Sequence, residues 1–159
     1  MKPLLVLCWG LLALAGVSPS PLPSRALEMV LDDFHNKSHV KFVFKKQTMT
    51  ESMEELPMGT FVHLEVDLLQ TVCWKRQRGM QNCGVKAGGR RQKCLACFKF
   101  DSSGNVLDQS VRCLSEQVPI FQEVKRRQAQ ECEQVKQAGE EHYRPGLFAF
   151  SKGLPVSPE

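Results

Sequence analysis

The 159-residue sequence predicts an α+β fold of the cystatin/cathelicidin-like kind: an N-terminal helix packed on an antiparallel β-sheet of about four strands, a second helix after it, and a flexible C-terminal tail. Three observations predict the helix and sheet layers. Apolar residues recur at helical spacing over residues 24–35, the period changes to two from Val40, and helical spacing returns after Pro119. The length suits one domain, and a hydrophobic content of 42% is enough for a core. An all-helical bundle is the alternative, and the period-two stretches argue against it.

The chain begins with a basic residue, Lys2, and an apolar run from Leu4 to Val17 with small residues at Ala13, Ala15, Gly16 and Ser18. That run is short for a bilayer core, which needs about 20 apolar residues. It reads as a secretory signal peptide over residues 1–18, cleaved between Ala15 and Ser20, and so as a secreted, extracellular protein. Pro19, Pro21 and Pro23 follow and argue against a buried core helix at that point.

In the first predicted helix Ser24 is the expected N-cap, and Leu27, Val30, Leu31 and Phe34 form the stripe. Asn36-Lys37-Ser38 at its exit matches the N-glycosylation acceptor, with Asn36 as the modified residue. Val40, Phe42 and Phe44 then alternate with Lys41 and Lys45, a half-buried strand. Residues 49–58 carry Glu51, Glu54, Glu55 and Pro57 without periodicity and are expected to form a loop. From Phe61 to Trp74, Val62, Leu64, Val66 and Leu68 point one way and His63, Glu65 and Asp67 the other, a long strand. Residues 93–100 make a third strand, Gly104-Asn105 a turn, and Val106 to Cys113 a fourth strand. Phe121, Val124, Gln128, Cys132 and Val135 then trace a second helix ending near Gly139. The folded domain is taken as residues 19–139 and the tail as 140–159, where Pro145, Gly146, Gly153, Pro155 and Pro158 rule out a regular element.

Cys8 leaves with the leader, and of the seven cysteines six remain: Cys73, Cys83, Cys94, Cys97, Cys113 and Cys132. An even number in a secreted chain implies three bridges, with every pairing open. Cys94 and Cys97 form a CxxC, but no second CxxC or His pair stands at ligand spacing, so bridges are favoured over a zinc or redox site.

The net charge is +4, unevenly spread. Between Asp67 and Asp101 there is no acidic residue, while Lys75, Arg76, Arg78, Lys86, Arg90, Arg91, Lys93 and Lys99 supply eight cations. Most fall in the Gly-rich connection of residues 74–92, the 75–93 segment being the candidate polyanion-binding surface. Heparan-type glycosaminoglycans or microbial membranes are the expected partners, nucleic acid being excluded by compartment; a solvated loop is the alternative. No Ser/His/Asp set, HExxH, phosphate loop or carboxylate pair can be read. His35, His39, His63 and His142 are scattered, and His63 is read as a polar-face or half-buried strand residue rather than a base. The expectation is no enzyme, no cofactor, no metal and a monomer.

Helix, long antiparallel strands and late cysteines resemble the cystatin and cathelicidin superfamily. Within it, LDDFHNKSHVKFVF, KCLACFKF and above all the tail YRPGLFAFSKGLP resemble the chemerin (retinoic acid receptor responder) family, over essentially the whole chain. The resemblance implies bridges Cys73–Cys83, Cys94–Cys113 and Cys97–Cys132, the last pinning the second helix to the sheet. It implies a chemoattractant and adipokine precursor whose C-terminal peptide activates a G-protein-coupled chemokine-like receptor after extracellular proteases remove a short extension. Carried onto this sequence, the activating segment 143–151 holds Tyr143, Pro145, Gly146, Phe148, Ala149, Phe150 and Ser151. The removable extension is 152–159, with processing at Ser151 and Lys152. Arg144 and Leu147 depart from the family pattern, which has an aromatic and a polar residue there. Protease inhibition, the cystatin activity, is disfavoured: Gln47-Thr48-Met49-Thr50-Glu51 lacks the Val and Gly of a QxVxG hairpin, and Trp74 follows Cys73 rather than a proline.

Overall fold

A computed structural model describes residues 21–79, 82–115 and 117–142. The signal-peptide reading and the tail readings from Tyr143 to Lys152 therefore lie outside the described residues. Helix α1 spans Pro21–Asn36, strands β1 to β4 span Phe42–Leu56, Gly59–Trp74, Arg91–Phe100 and Val106–Leu114, and helix α2 spans Phe121–Gln137. The strands form one antiparallel meander in the order β1-β2-β3-β4. The predicted class and element order are those observed.

Three details differ from the sequence reading. Ser24 is not an N-cap, because α1 already includes Pro21 and Pro23. Proline is tolerated in the first turn, where its missing N–H has no helical acceptor. Residues 49–56 are strand rather than loop, for β1 runs on to Leu56 and pairs residue by residue with β2. β1 is an edge strand whose outer half is exposed on both faces, so backbone pairing holds it and leaves no apolar alternation to read. Finally, Arg91 and Gln92 belong to β3, which shortens the Gly-rich connection, while Trp74 ends β2 as the alternation predicts.

The strand period explains the layers. Val62, Leu64, Val66 and Leu68 of β2 and Cys94, Ala96, Phe98 and Phe100 of β3 share one face. Onto it α1 lays Ala26, Val30 and Phe34, spaced i, i+4, i+8, with Leu27 and Leu31 half-buried at the margin. Burying Val30 and Phe34 contributes about 1.5–3 kcal/mol each. The other face of β3 presents Leu95, Cys97 and Lys99 to α2, whose buried residues are Phe121, Gln128, Cys132 and Val135. β3 is thus covered on both sides, which is why residues 94–98 are apolar without a break instead of alternating, and why residues 94–100 are all buried. Buried Gln128 donates its amide to the carbonyls of Leu95 (3.2 Å) and Ser110 (3.1 Å) and accepts from the Ser110 hydroxyl (3.2 Å), knitting α2 to β3 and β4.

The six cysteines close as Cys73–Cys83, Cys94–Cys113 and Cys97–Cys132, the pairs the family resemblance implies. Cys94 and Cys113 sit directly opposite each other across β3 and β4, whereas Cys97 ties β3 to α2. Because side chains alternate along a strand, the two cysteines of the CxxC point to opposite faces. Neither a shared metal nor a redox pair is compatible with that arrangement. Gly59, at φ +138°, opens β2 at the hairpin after Pro57-Met58; a Cβ there would lie 1.9 Å from the Phe100 carbonyl oxygen.

Candidate functional site

The antiparallel register puts two candidate functional features at opposite ends of the sheet. At one end lie the β1–β2 hairpin, the β3–β4 turn and the root of the tail. α2 is followed by a 3-10 turn, Glu140–His142, the last described residues before the tail. Lys99, with its side chain fully buried, donates from Nζ to Glu140 Oε1 (2.7 Å) and to the Lys136 carbonyl (2.9 Å). The Met58 N–H donates to the same Glu140 oxygen at 3.0 Å. Burial pushes the Glu140 carboxyl upward, but the Lys99 and Met58 hydrogen bonds outweigh it and hold it below the usual carboxylate range. The start of the tail, Glu140, one residue past Gly139, is therefore fixed to β3 and to the first hairpin.

Lys99 falls in the basic stretch of the sequence, yet it belongs to this end and is buried. The other cations lie at the far end, and the structure sorts them by partner. Arg78 pairs with Asp32, Lys93 with Asp67 (3.3 Å), and Lys75 donates to the Lys37 carbonyl (3.1 Å). Lys86 sits 5.5 Å above the Phe42 ring, which is itself stacked on Trp74. Arg76, Arg90 and Arg91 are exposed and make no ion pair among the described residues. β1 adds cations that the sequence reading left out. Lys45 and Arg91 flank Leu69 from opposite sides of β2. Directly opposed residues share a face, so Lys45 joins Arg91 there. No local signal links residues 45 and 91, because only strand pairing brings them together.

Gln70 holds the Gly-rich connection in place. Its N–H donates to the Arg90 carbonyl (3.0 Å), its carbonyl accepts from Lys86 (2.9 Å), and its side-chain oxygen accepts from the Arg90 N–H (3.0 Å). The turn needs its glycines: Gly88 has φ +67°, and a Cβ on Gly89 would meet the Lys86 carbonyl oxygen at 2.9 Å. The Cys73–Cys83 bridge fixes the other limb. Together these place Arg90 and Arg91 beside an open cleft of about 670 Å³, which also takes in Gln47, Asp67, Gln92 and Gln117. The Thr48 hydroxyl donates to Asp67, whose carboxyl it holds below the usual range, with burial opposing and Lys93 reinforcing the effect.

Asn36 and Ser38 of the glycosylation tripeptide are exposed at the exit of α1. Gln47–Glu51, read as the loop after a strand, lies within β1; the true hairpin turn, Pro57-Met58, carries no QxVxG either. His63 is half-buried between Ser52 and Cys97 in the sheet register, with its imidazole pKa lowered by burial. Among the described residues no group of three or more His, Cys, Asp or Glu is placed to hold a metal ion. No described helix is long and apolar enough to cross a membrane.

No protein-family model matches the chain. It is 39% identical over 137 residues to retinoic acid receptor responder protein 2 of Homo sapiens, covering 84% of this chain and 83% of the relative. With the proteins of the same name from Bos taurus and Mus musculus it is 36% and 37% identical, and in both cases 94% of each chain is covered. Among solved structures, dimeric human cystatin F superposes with a TM-score of 0.49 at 19% identity, over 64% of this chain and 83% of that one.

Proposed function

Because the chain belongs to the retinoic acid receptor responder protein 2 (chemerin) family, we propose that it is a secreted chemoattractant and adipokine precursor switched on by removal of its C-terminal extension. The observation that carries this reading is the tail itself, Tyr143 to Ser151 followed by Lys152, in a chain related to that family along most of its length. Phe148 and Phe150 are large apolar anchors for a pocket in a chemokine-like G-protein-coupled receptor. Pro145 lowers the ordering cost of seating them. Lys152 offers a trypsin-like extracellular protease its cut, and a carboxypeptidase then trims the lysine to leave a carboxylate on Ser151. Residues 152–159 block activity by occupying the place where the chain must end. Arg144 and Leu147 tune potency and receptor choice. The stapled body acts as a monomeric, non-enzymatic carrier, glycosylated at Asn36 and directed by its signal peptide to the extracellular space.

The test compares secreted chains ending at Ser151 and at Glu159 in cells bearing a chemokine-like receptor. The shorter chain is expected to signal far more strongly, and equal potency would sink tail release.

A second reading has its own observation. Arg76, Arg90 and Arg91 are exposed, with no ion pair among the described residues, at the end of the sheet away from the tail root, a surface able to attract polyanions or microbial membranes in host defence. Cysteine-protease inhibition ranks below both readings.

A further inference from the structure

We propose that the cleft beside Arg90 and Arg91 is a binding site for a sulfated glycosaminoglycan segment. The proposal deepens the second reading by giving the polyanion a chemistry and a place. Among the described residues the cleft is lined by two arginines, Arg90 and Arg91, and by three glutamines, Gln47, Gln92 and Gln117. Planar guanidinium forks match sulfate and carboxylate oxygens in pairs, and carboxamides serve hydroxyls and sulfates alike. Among the described residues one carboxylate lines the cleft, Asp67, and it is already engaged by the Thr48 hydroxyl and the Lys93 ammonium. Lys45, on the same face as Arg91, extends the positive row along the path of a linear chain.

Shape favours a sugar chain over a membrane. The cleft is concave and polar, and the exposed apolar residues of this end, Val72, Trp74 and Val85, do not line it. A bilayer surface would need those side chains to project with the cations. The anchoring also matters: Gln70, Gly88-Gly89 and the Cys73–Cys83 bridge hold the backbone that carries the two arginines before any ligand arrives, so the ordering cost of binding falls on their side chains and not on the loop. Along β3, Arg91 and Lys99 are eight residues apart, about 27 Å. A glycosaminoglycan held at the cleft therefore leaves the tail root at the far end uncovered.

The experiment titrates the disulfide-bonded secreted chain, residue 159 included, with a size-defined heparin hexasaccharide by calorimetry at two salt concentrations. Arg90→Gln/Arg91→Gln is expected to weaken binding at least tenfold and to make its salt dependence shallower, with the near-UV CD spectrum unchanged. Arg126→Gln/Arg127→Gln, which removes cations paired with Glu123 on α2, is expected to stay within twofold. Single Arg90→Glu provides a second, independent variant and should weaken binding likewise. Unchanged affinity in the Arg90 and Arg91 variants would overturn the proposal, as would binding to phosphatidylserine vesicles without binding to the hexasaccharide. No receptor enters this measurement, so its failure leaves tail release standing, and failure of tail release leaves the cleft standing.

Discussion

Lys99 Nζ and Glu140 Oε1 meet 2.7 Å apart in an ion pair whose lysine is wholly buried, and that contact joins the central strand to the last described turn before the tail. Removing one partner of a buried pair leaves the other charge without compensation, which is far more costly than never having had the pair. Lys99→Met is therefore expected to cost about 3 kcal/mol, the low end of the usual range, because Glu140 keeps the Met58 N–H and some water. Denaturant unfolding of the body measures it, and a loss below about 1 kcal/mol would deny the pair its anchoring role. The free peptide 143–151 should signal as before, since it contains neither residue.

His35 links α1 to β1 in one protonation state only. Its Nδ1 lies 2.7 Å from the Leu31 carbonyl and donates there, while Nε2 accepts the Phe44 N–H at 3.0 Å. A second ring proton would face that N–H. Burial lowers the His35 pKa, the Leu31 hydrogen bond and Asp32 work against it, and Arg78 and Lys75 lower it further. With the folded pKa depressed, the unfolded chain takes the proton first. Stability is thus fully present above the ordinary histidine value of about 6.5 and is lost as pH falls through and below it. His35→Gln should flatten the stability profile below about pH 6.5 relative to the parent chain. His63 titrates in the same direction, so the difference between the two profiles isolates His35. Superimposable profiles would show that His35 does not contribute.

Phe150 is assigned an anchoring role in the receptor pocket. Phe150→Ala in the chain ending at Ser151 is expected to lower receptor potency at least a hundredfold, while the melting temperature of the body stays within a degree or two, the residue lying past the last cysteine. Unchanged signalling would count against the anchor, and a large drop in melting temperature would mean that Phe150 packs on the body instead.

The elements most legible in the sequence were those with one face in the core and one in water. β2 alternates because α1 covers only one of its sides, and α2 shows its stripe for the same reason. The outer half of β1 was illegible because an exposed edge strand is held by backbone hydrogen bonds, which any side chain permits. Likewise, no spacing could say that Lys99 leaves the basic group for the tail root, since its partners are 37 and 41 residues away.

The linear chain by itself determined the six cysteines of the body, the two periods that make an α+β fold, an acid-free basic stretch and the apolar tail beyond the last cysteine. Those are properties of composition and local spacing. Tertiary structure alone decided which cations share a surface, that the two cysteines of the CxxC face opposite helices, and that cleft and tail root stand at opposite ends of the sheet. Strand register and layer packing set those relations, and both depend on contacts between residues far apart in the chain.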